Sequence, residues 1–112
     1  MSKKIWLIYI CIFLFILPAA AYSKDYVVQQ NNKAFYYLGK KSNSIVVRAG
    51  DKIEFKNIDS VFHNIYSLSK IMEFNLGAFD KGKSKTVVFD KKGTVAVECA
   101  FHSRMFIEVV VE

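Results

Sequence analysis

The sequence predicts an all-β fold, a sandwich or barrel of short, mostly antiparallel strands. After residue 21, runs rich in Val, Ile, Tyr and Phe recur between turn signals, at intervals of about 8 to 12 residues. Several of these runs alternate polar and apolar residues, as half-buried strands do. This part of the chain has no convincing helical period and no internal repeat, so tight turns between strands are expected.

Eight segments are predicted to be strands. In chain order they are residues 26–30, 35–38, 44–48, 52–56, 61–68, 85–90, 94–99 and 106–111. The 44–48 and 52–56 strands flank the turn at 49–51, and we expect them to pair as neighbours. Residues 69–79 have weak periodicity, which is compatible with a short helix or an irregular crossover.

Residues 1–21 have the organisation of a secretory signal peptide, expected to be helical. Lys3 and Lys4 precede an apolar region at 5–17, and residues 18–21 end in small side chains. We place cleavage after Ala21, with Ser23 as the next candidate, which leaves an exported, periplasmic domain at 22–112. An uncleaved membrane anchor is the alternative, since 5–21 is near the lower length limit of a spanning helix.

Composition limits the classes of partner. Residues 22–112 are enough for one domain with one core, and they carry 14 Lys and Arg against 10 Asp and Glu. The basic residues are dispersed and form no single run, which disfavours nucleic-acid binding. The excess of positive charge can steer an acidic protein partner or favour an anionic membrane surface, and the alternative is that these residues only solvate turns and strand faces.

The stretch from Cys99 to Met105 is the strongest chemical signal. It supplies a thiolate, an imidazole and a thioether at Cys99, His102 and Met105, and the only other histidine of the chain, His63, lies in an apolar segment. A His2Cys set with a weak Met is the donor set of a copper site, whereas zinc gains little from a thioether. Cys99 is also the single cysteine left after cleavage, and metal ligation explains a lone thiol in an oxidising compartment.

Strand parity indicates where these side chains point. Cys99 shares one face of its strand with Val95 and Val97, while Glu98 lies on the other face. Met105 begins the apolar face of the last strand. Both sulfur-bearing side chains are therefore expected to point into the core at one end of the sandwich.

These motifs resemble those of the cupredoxins, the small blue copper proteins that include plastocyanin and amicyanin. The spacing of Cys99, His102 and Met105 resembles the short amicyanin loop, and residues 62–64 resemble the segment with the first histidine. The resemblance covers about residues 25–112. It is closer to plastocyanin-like proteins often labelled methylamine utilisation proteins, through motifs at 49–51, 61–64, 67–69, 74–77 and 93–95.

The resemblance implies an eight-stranded Greek-key sandwich of two sheets with one type 1 copper. His63, Cys99 and His102 would be the strong equatorial ligands, and Met105 the weak axial ligand. Asn64 would tie the two ligand-bearing loops together from behind the ligands, although a turn-capping role is an open alternative.

Two positions depart from the family pattern. Phe101 occupies the place of the proline that precedes the loop histidine in plastocyanin and amicyanin, so a fixed φ angle is not available there. Arg104 adds a positive charge next to the axial methionine, which would favour Cu(I) unless solvent screens it.

Electron transfer is the leading functional hypothesis. A site filled by four protein donors has no coordination position for a substrate, so we do not expect an enzyme. A redox partner protein, with an acidic docking surface, would exchange electrons at the edge of His102. Phe101 and Phe106 would form its docking patch or else fill the core. We expect a monomer without a small-molecule substrate. The alternatives are a periplasmic copper carrier or resistance protein, and an assembly factor.

Overall fold

Two five-stranded sheets, packed face to face, make up the domain. The structure is a computed structural model and describes residues 22–112; the signal peptide expected at 1–21 lies outside the described residues. Within 22–112, no helix has the length and apolar character that crossing a bilayer requires.

The ten strands of the described residues follow one another without an intervening helix. They are β1 Asp25–Asn31, β2 Ala34–Tyr37, β3 Lys40–Lys41, β4 Ser44–Val47, β5 Asp51–Asn57, β6 His63–Ser67, β7 Phe74–Phe79, β8 Ser84–Phe89, β9 Gly93–Cys99 and β10 His102–Val111.

The strand order is β3-β2-β1-β5-β8 in the first sheet and β4-β10-β9-β6-β7 in the second. The all-β sandwich expected from the sequence is confirmed. Neighbouring strands are antiparallel with two exceptions, because β1 pairs with β5 and β4 pairs with β10 in parallel. Parallel neighbours require a long connection, and here the chain crosses between the sheets before it returns.

The alternation of side chains places one face of each sheet in a common core. In β9, Val95 and Val97 are fully buried and Cys99 is 2% exposed, as the strand parity predicts. Met105 begins the buried face of β10 and is 1% exposed. The buried hydrophobic cluster consists of Val28, Phe35, Ile45, Val47, Ile53, Phe55, Ile65, Phe79, Val87, Phe89, Val95, Val97, Cys99, Met105, Ile107, Val109 and Val111.

The corner between β4 and β5 corrects one expectation. These two strands lie in different sheets, so the prediction that they pair was wrong. Gly50 has a φ of 99°, a conformation that favours glycine, and Asp51 accepts hydrogen bonds of 2.8 Å from the backbone N–H groups of Lys24 and Arg48. The alternating pattern buries the same residues whether the two strands pair as a hairpin or belong to different sheets. Only the geometry of the turn distinguishes these two arrangements.

Two strands were not expected from the sequence, which indicated eight. The two-residue strand β3 follows a tight turn in which Leu38 and Gly39 both have positive φ, of 51° and 77°. Strand β7 occupies 74–79, within the 69–79 segment whose weak period is compatible with a short helix or an irregular crossover. It is an edge strand whose burial pattern is irregular, which explains its weak period.

We expect Asp51→Asn to destabilise the fold near neutral pH and to make its stability less dependent on pH. Hydrogen bonds from the backbone of Lys24 and Arg48 hold the pKa of Asp51 below its usual value, although burial opposes them. This stabilisation is therefore complete above about pH 4 and is lost as the pH falls through the lowered folded-state pKa. Urea unfolding of both proteins between about pH 7 and pH 2 measures it.

The exposed Asp90, in the turn between β8 and β9, provides the matched control variant Asp90→Asn. A difference between wild type and Asp51→Asn that stays constant over the whole pH range would contradict this account.

Candidate metal centre

A two-residue turn brings Cys99 and His102 opposite each other. Cys99 ends β9, His102 begins β10, and the two residues pair across Ala100 and Phe101. Cys99 is buried in the core, whereas His102 is half-buried at the surface. The loop expected from the sequence is thus a tight hairpin whose ends are held by the sheet.

A bulge of three residues in β10 follows this turn. Phe106 pairs with Glu98, the residue just before Cys99, so residues 103–105 have no partner in β9. Bulges re-aim side chains and bend the strand. Here Arg104 is exposed, while Met105 is buried among the same core residues as Cys99.

The first residue of β6 completes the cluster. His63 is fully buried, and its Nδ1 lies 3.6 Å from the Sγ of Cys99. The Nδ1 of His102 lies 3.7 Å from the same sulfur. One donor atom from each of these three residues lies within 4.8 Å of the others. The structure thus brings together three of the four residues selected as ligands and buries the fourth, Met105, in the adjoining core.

The spacing of the donor atoms suits a shared metal ion. Bonds of about 2.0 Å to nitrogen and about 2.3 Å to sulfur separate two donors by roughly 3.5 to 3.7 Å at tetrahedral or trigonal angles. The distances from sulfur to the two imidazole nitrogens fall in this interval, at 3.6 and 3.7 Å. The imidazole rings are also close, with centroids 4.7 Å apart.

Asp59 orients the ring of His63. The Nε2 of His63 lies 3.0 Å from Oδ2 of Asp59 and is the donor when Nδ1 is left unprotonated. The same carboxylate accepts hydrogen bonds of 2.9 Å from the backbone N–H groups of Lys33 and Ser60. A carboxylate behind a histidine fixes the tautomer and increases the basicity of the nitrogen that faces the metal.

The electrostatics keep Asp59 charged and His102 neutral. Burial raises the pKa of Asp59, but the hydrogen bonds from Lys33, His63 and Ser60 outweigh it, and the pKa is lowered overall. Burial lowers the pKa of His102, and the neighbouring His63 and Lys33 lower it further, although the charge of Asp59 opposes them. A neutral imidazole is the form that binds a metal.

Asn64 connects β6 to the β9–β10 turn. Its Oδ1 accepts a hydrogen bond of 2.6 Å from the backbone N–H of Ala100, and its own carbonyl lies 3.4 Å from Nε2 of Gln30 in the first sheet. The side chain therefore joins the segment of His63 to the turn between Cys99 and His102. Because the donor is a backbone N–H of the β9–β10 turn, this contact is compatible with both roles considered for Asn64, the tie between segments and the turn cap.

Comparison with known proteins identifies the family. A profile of copper-binding proteins of the plastocyanin/azurin family matches residues 25–112. The chain belongs to this family. No curated protein matches the sequence.

Solved cupredoxin structures share the fold. The Cu(I) form of an amicyanin variant has a TM-score of 0.70 at 21% identity, with 84% of this chain and 87% of that chain covered. A reduced amicyanin variant has a TM-score of 0.68 at 20% identity, with 87% of each chain covered. A purple cupredoxin from Nitrosopumilus maritimus has a TM-score of 0.64 at 24% identity and covers 79% of this chain and 100% of that chain. At these identities the similarity establishes the cupredoxin fold.

Copper is the cofactor of this cupredoxin, and the donor set fits it. One thiol and two imidazoles converge, with a buried thioether in the adjoining core. Thiolate and thioether sulfurs select copper over magnesium, calcium or manganese, and a thioether adds little to a zinc site.

The surface next to His102 carries the residues selected for docking. Phe101 is 56% exposed and Phe106 is 40% exposed, so neither of them fills the core. Arg104 is exposed on the opposite side of the strand from Met105. Solvent therefore screens its charge, and the effect on the copper that the sequence suggested is weakened.

Sequence analysis did not identify Asp59, which was assigned only to a turn. The sequence does place a carboxylate four residues before His63. That spacing brings the two side chains into contact only if the intervening residues form a tight turn. Such a turn is held here by Asn57, whose Oδ1 accepts a hydrogen bond of 2.8 Å from the N–H of Asp59.

We expect Asn64→Ala to lower the free energy of unfolding of the copper-free protein by about 1 to 3 kcal/mol, because the N–H of Ala100 loses its acceptor. Asn75→Ala is the control, since the Asn75 side chain accepts an exposed backbone hydrogen bond of 2.9 Å from Gly77. The control should change stability by no more than about 0.5 kcal/mol. Equal urea midpoints for the two variants would show that the hydrogen bond of Asn64 stabilises the fold no more than the exposed one of Asn75.

Proposed function

We propose that this cupredoxin is a type 1 copper protein that carries single electrons between redox partners. His63, Cys99 and His102 would hold the ion as its strong ligands, and Met105 would be a weak fourth ligand. The observation that supports this proposal is the convergence of one thiol and two imidazole nitrogens within 4.8 Å.

Rigid coordination suits electron transfer. Copper supplies a one-electron couple between Cu(I) and Cu(II). Cys99 and His63 belong to paired strands and are 2% and 0% exposed, and Asp59 and Asn64 restrain the elements that carry them. Donor atoms that move little between oxidation states reduce the reorganisation that each electron transfer requires.

The half-buried ring of His102 is the proposed exit for the electron. His63 and Cys99 are enclosed by the core, so among the three clustered residues only His102 has a partly exposed side chain. Phe101 and Phe106 are exposed on the same segment. A partner that covers this apolar surface would come close to His102.

Four protein donors leave no coordination position for a substrate, which favours a carrier of electrons over an enzyme. A carrier of copper itself is the alternative. Deep burial of Cys99 and His63 opposes rapid release of the ion, and it supports the electron carrier.

Export to the periplasm, as a monomer cleaved after Ala21, is part of the proposal. The basis is the arrangement of positive, apolar and small residues in 1–21. Mass spectrometry of the protein recovered from a periplasmic extract should give a chain that starts at Tyr22. Recovery of only the full-length chain from the membrane fraction would favour the anchored alternative.

We expect Cys99→Ser to abolish the strong blue absorption of the Cu(II) protein, because this band requires charge transfer from a thiolate to copper. Visible and electron paramagnetic resonance spectra of wild type and variant measure it. An unchanged spectrum would exclude Cys99 from the site.

Two methionine variants extend this test. Met105→Leu should keep the blue colour and raise the reduction potential, because loss of the axial donor disfavours Cu(II). The control Met72→Leu alters a partly buried methionine that packs against the core elsewhere, and should change neither property. Fast loss of copper from the wild type to a chelator, without reversible redox cycling, would favour the copper carrier.

A further inference from the structure

A groove with positively charged walls runs beside His102. It consists of two adjoining cavities, of about 480 Å³ and about 460 Å³, that share Ala34, Lys41 and Arg104. The first cavity is also lined by Lys33 and His102. We call the two cavities together the basic groove.

The positive charges of the basic groove come from three separate parts of the chain. Lys33 lies in the turn between β1 and β2, Lys41 ends β3, and Arg104 lies in the bulge of β10. All three residues are exposed, and no Asp or Glu lines either cavity. The groove is therefore a local concentration of charge that the dispersed sequence does not reveal.

Among the described residues, the side chains of Lys33, Lys41 and Arg104 form no ion pair with a carboxylate, although the Asp59 carboxylate lies behind the groove at the backbone of Lys33. Within residues 22–112 the one ion pair is between His63 and Asp59, and residues 1–21 contain no Asp or Glu. Three neighbouring cations without an acidic partner raise the local potential and attract acidic groups.

Apolar surface flanks the charges. Phe101 lines the first cavity and Phe106 the second, with 56% and 40% of their surfaces exposed. Aromatic residues and arginine are enriched at protein–protein interfaces, where they surround or form the buried centre. The groove therefore combines positive charges, which can orient an approaching partner, with apolar surface that the partner can bury.

We propose that the basic groove docks an acidic segment of the redox partner protein, with carboxylates on Lys33, Lys41 and Arg104 and apolar side chains on Phe101 and Phe106. This inference rests on the proposed function, because it assigns the surface through which the electron would leave. His102 lines the same groove, so a segment bound there lies against the ring that is the proposed exit.

Charge complementarity favours a protein segment over a membrane. An anionic bilayer would respond to the whole basic surface, including Lys52, Lys91 and Lys92 at the opposite end of the sandwich. A protein segment can enter a concave groove and contact both the cations and the phenylalanines. Such docking should be fast and sensitive to salt, because electrostatic steering governs the association rate more than the affinity.

The test compares two triple charge reversals in the full copper-loaded protein. The groove variant is Lys33→Glu, Lys41→Glu and Arg104→Glu. The control variant, with the same net charge, is Lys52→Glu, Lys91→Glu and Lys92→Glu, all exposed and at the opposite end of the sandwich. The probe is a synthetic peptide of alternating Glu and Phe residues, titrated into the Cu(I) form at low salt and followed by backbone amide shifts.

We expect peptide-induced shifts at the groove residues of the wild type and the control variant, and their loss in the groove variant. Oxidation of the Cu(I) protein by hexacyanoferrate(III), an anion, should slow about tenfold or more in the groove variant only. Oxidation by the cation tris(phenanthroline)cobalt(III) should not slow, which separates loss of docking from damage to the copper site.

Three outcomes would overturn the proposal. They are equal losses in the two variants, groove shifts that inorganic phosphate reproduces at the same concentration, and binding of anionic vesicles that both variants weaken equally. The single variant Lys41→Glu repeats the test if the triple variant does not fold. The peptide titration detects binding at the groove even if the protein shows no reversible redox cycling. The docking surface and the proposed electron transfer are therefore tested separately.

Discussion

The hydrogen bond between the side chain of Asn64 and the backbone of Ala100 holds the two halves of the metal centre together. It is 2.6 Å long and joins the β6 segment of His63 to the turn between Cys99 and His102. The strand pairing of β6 with β9 aligns these segments only at Tyr66 and Glu98, three residues after His63 and one residue before Cys99. The amide side chain therefore restrains the distance from imidazole to sulfur at the place where the ladder has ended.

A second set of contacts controls the direction of the His63 ring. Asp59 contacts His63 of the second sheet and the backbone of Lys33 in the turn that joins β1 and β2 of the first sheet, so it connects both layers of the sandwich at the metal end. The turn that carries Asp59 is anchored by Asn57, whose Nδ2 donates hydrogen bonds of 2.9 Å to the carbonyls of Val61 and Phe79. Buried polar groups that are satisfied in this way give a rigid, unique arrangement. The hydrogen bonds offset the free energy that these groups lose when they are removed from water.

The same end of the sandwich serves both the metal and the proposed partner. The bulge in β10 buries Met105 and exposes Arg104 within two successive residues. The tight β9–β10 turn likewise encloses Cys99 and leaves Phe101 in solvent. One irregular hairpin therefore forms the inner wall of the copper site and part of the outer surface through which electrons would pass.

The sequence by itself determined the all-β class, the inward faces of β9 and β10 and the four candidate donors, because these follow from residue chemistry and a two-residue period. The tertiary structure alone decided that β4 and β5 separate into different sheets, since a hairpin and a crossover bury the same alternating residues. It also decided that Asp59 lies beside His63 and that Lys33, Lys41 and Arg104 line one groove. Their positions depend on how distant turns meet in space, which no local period in the chain encodes.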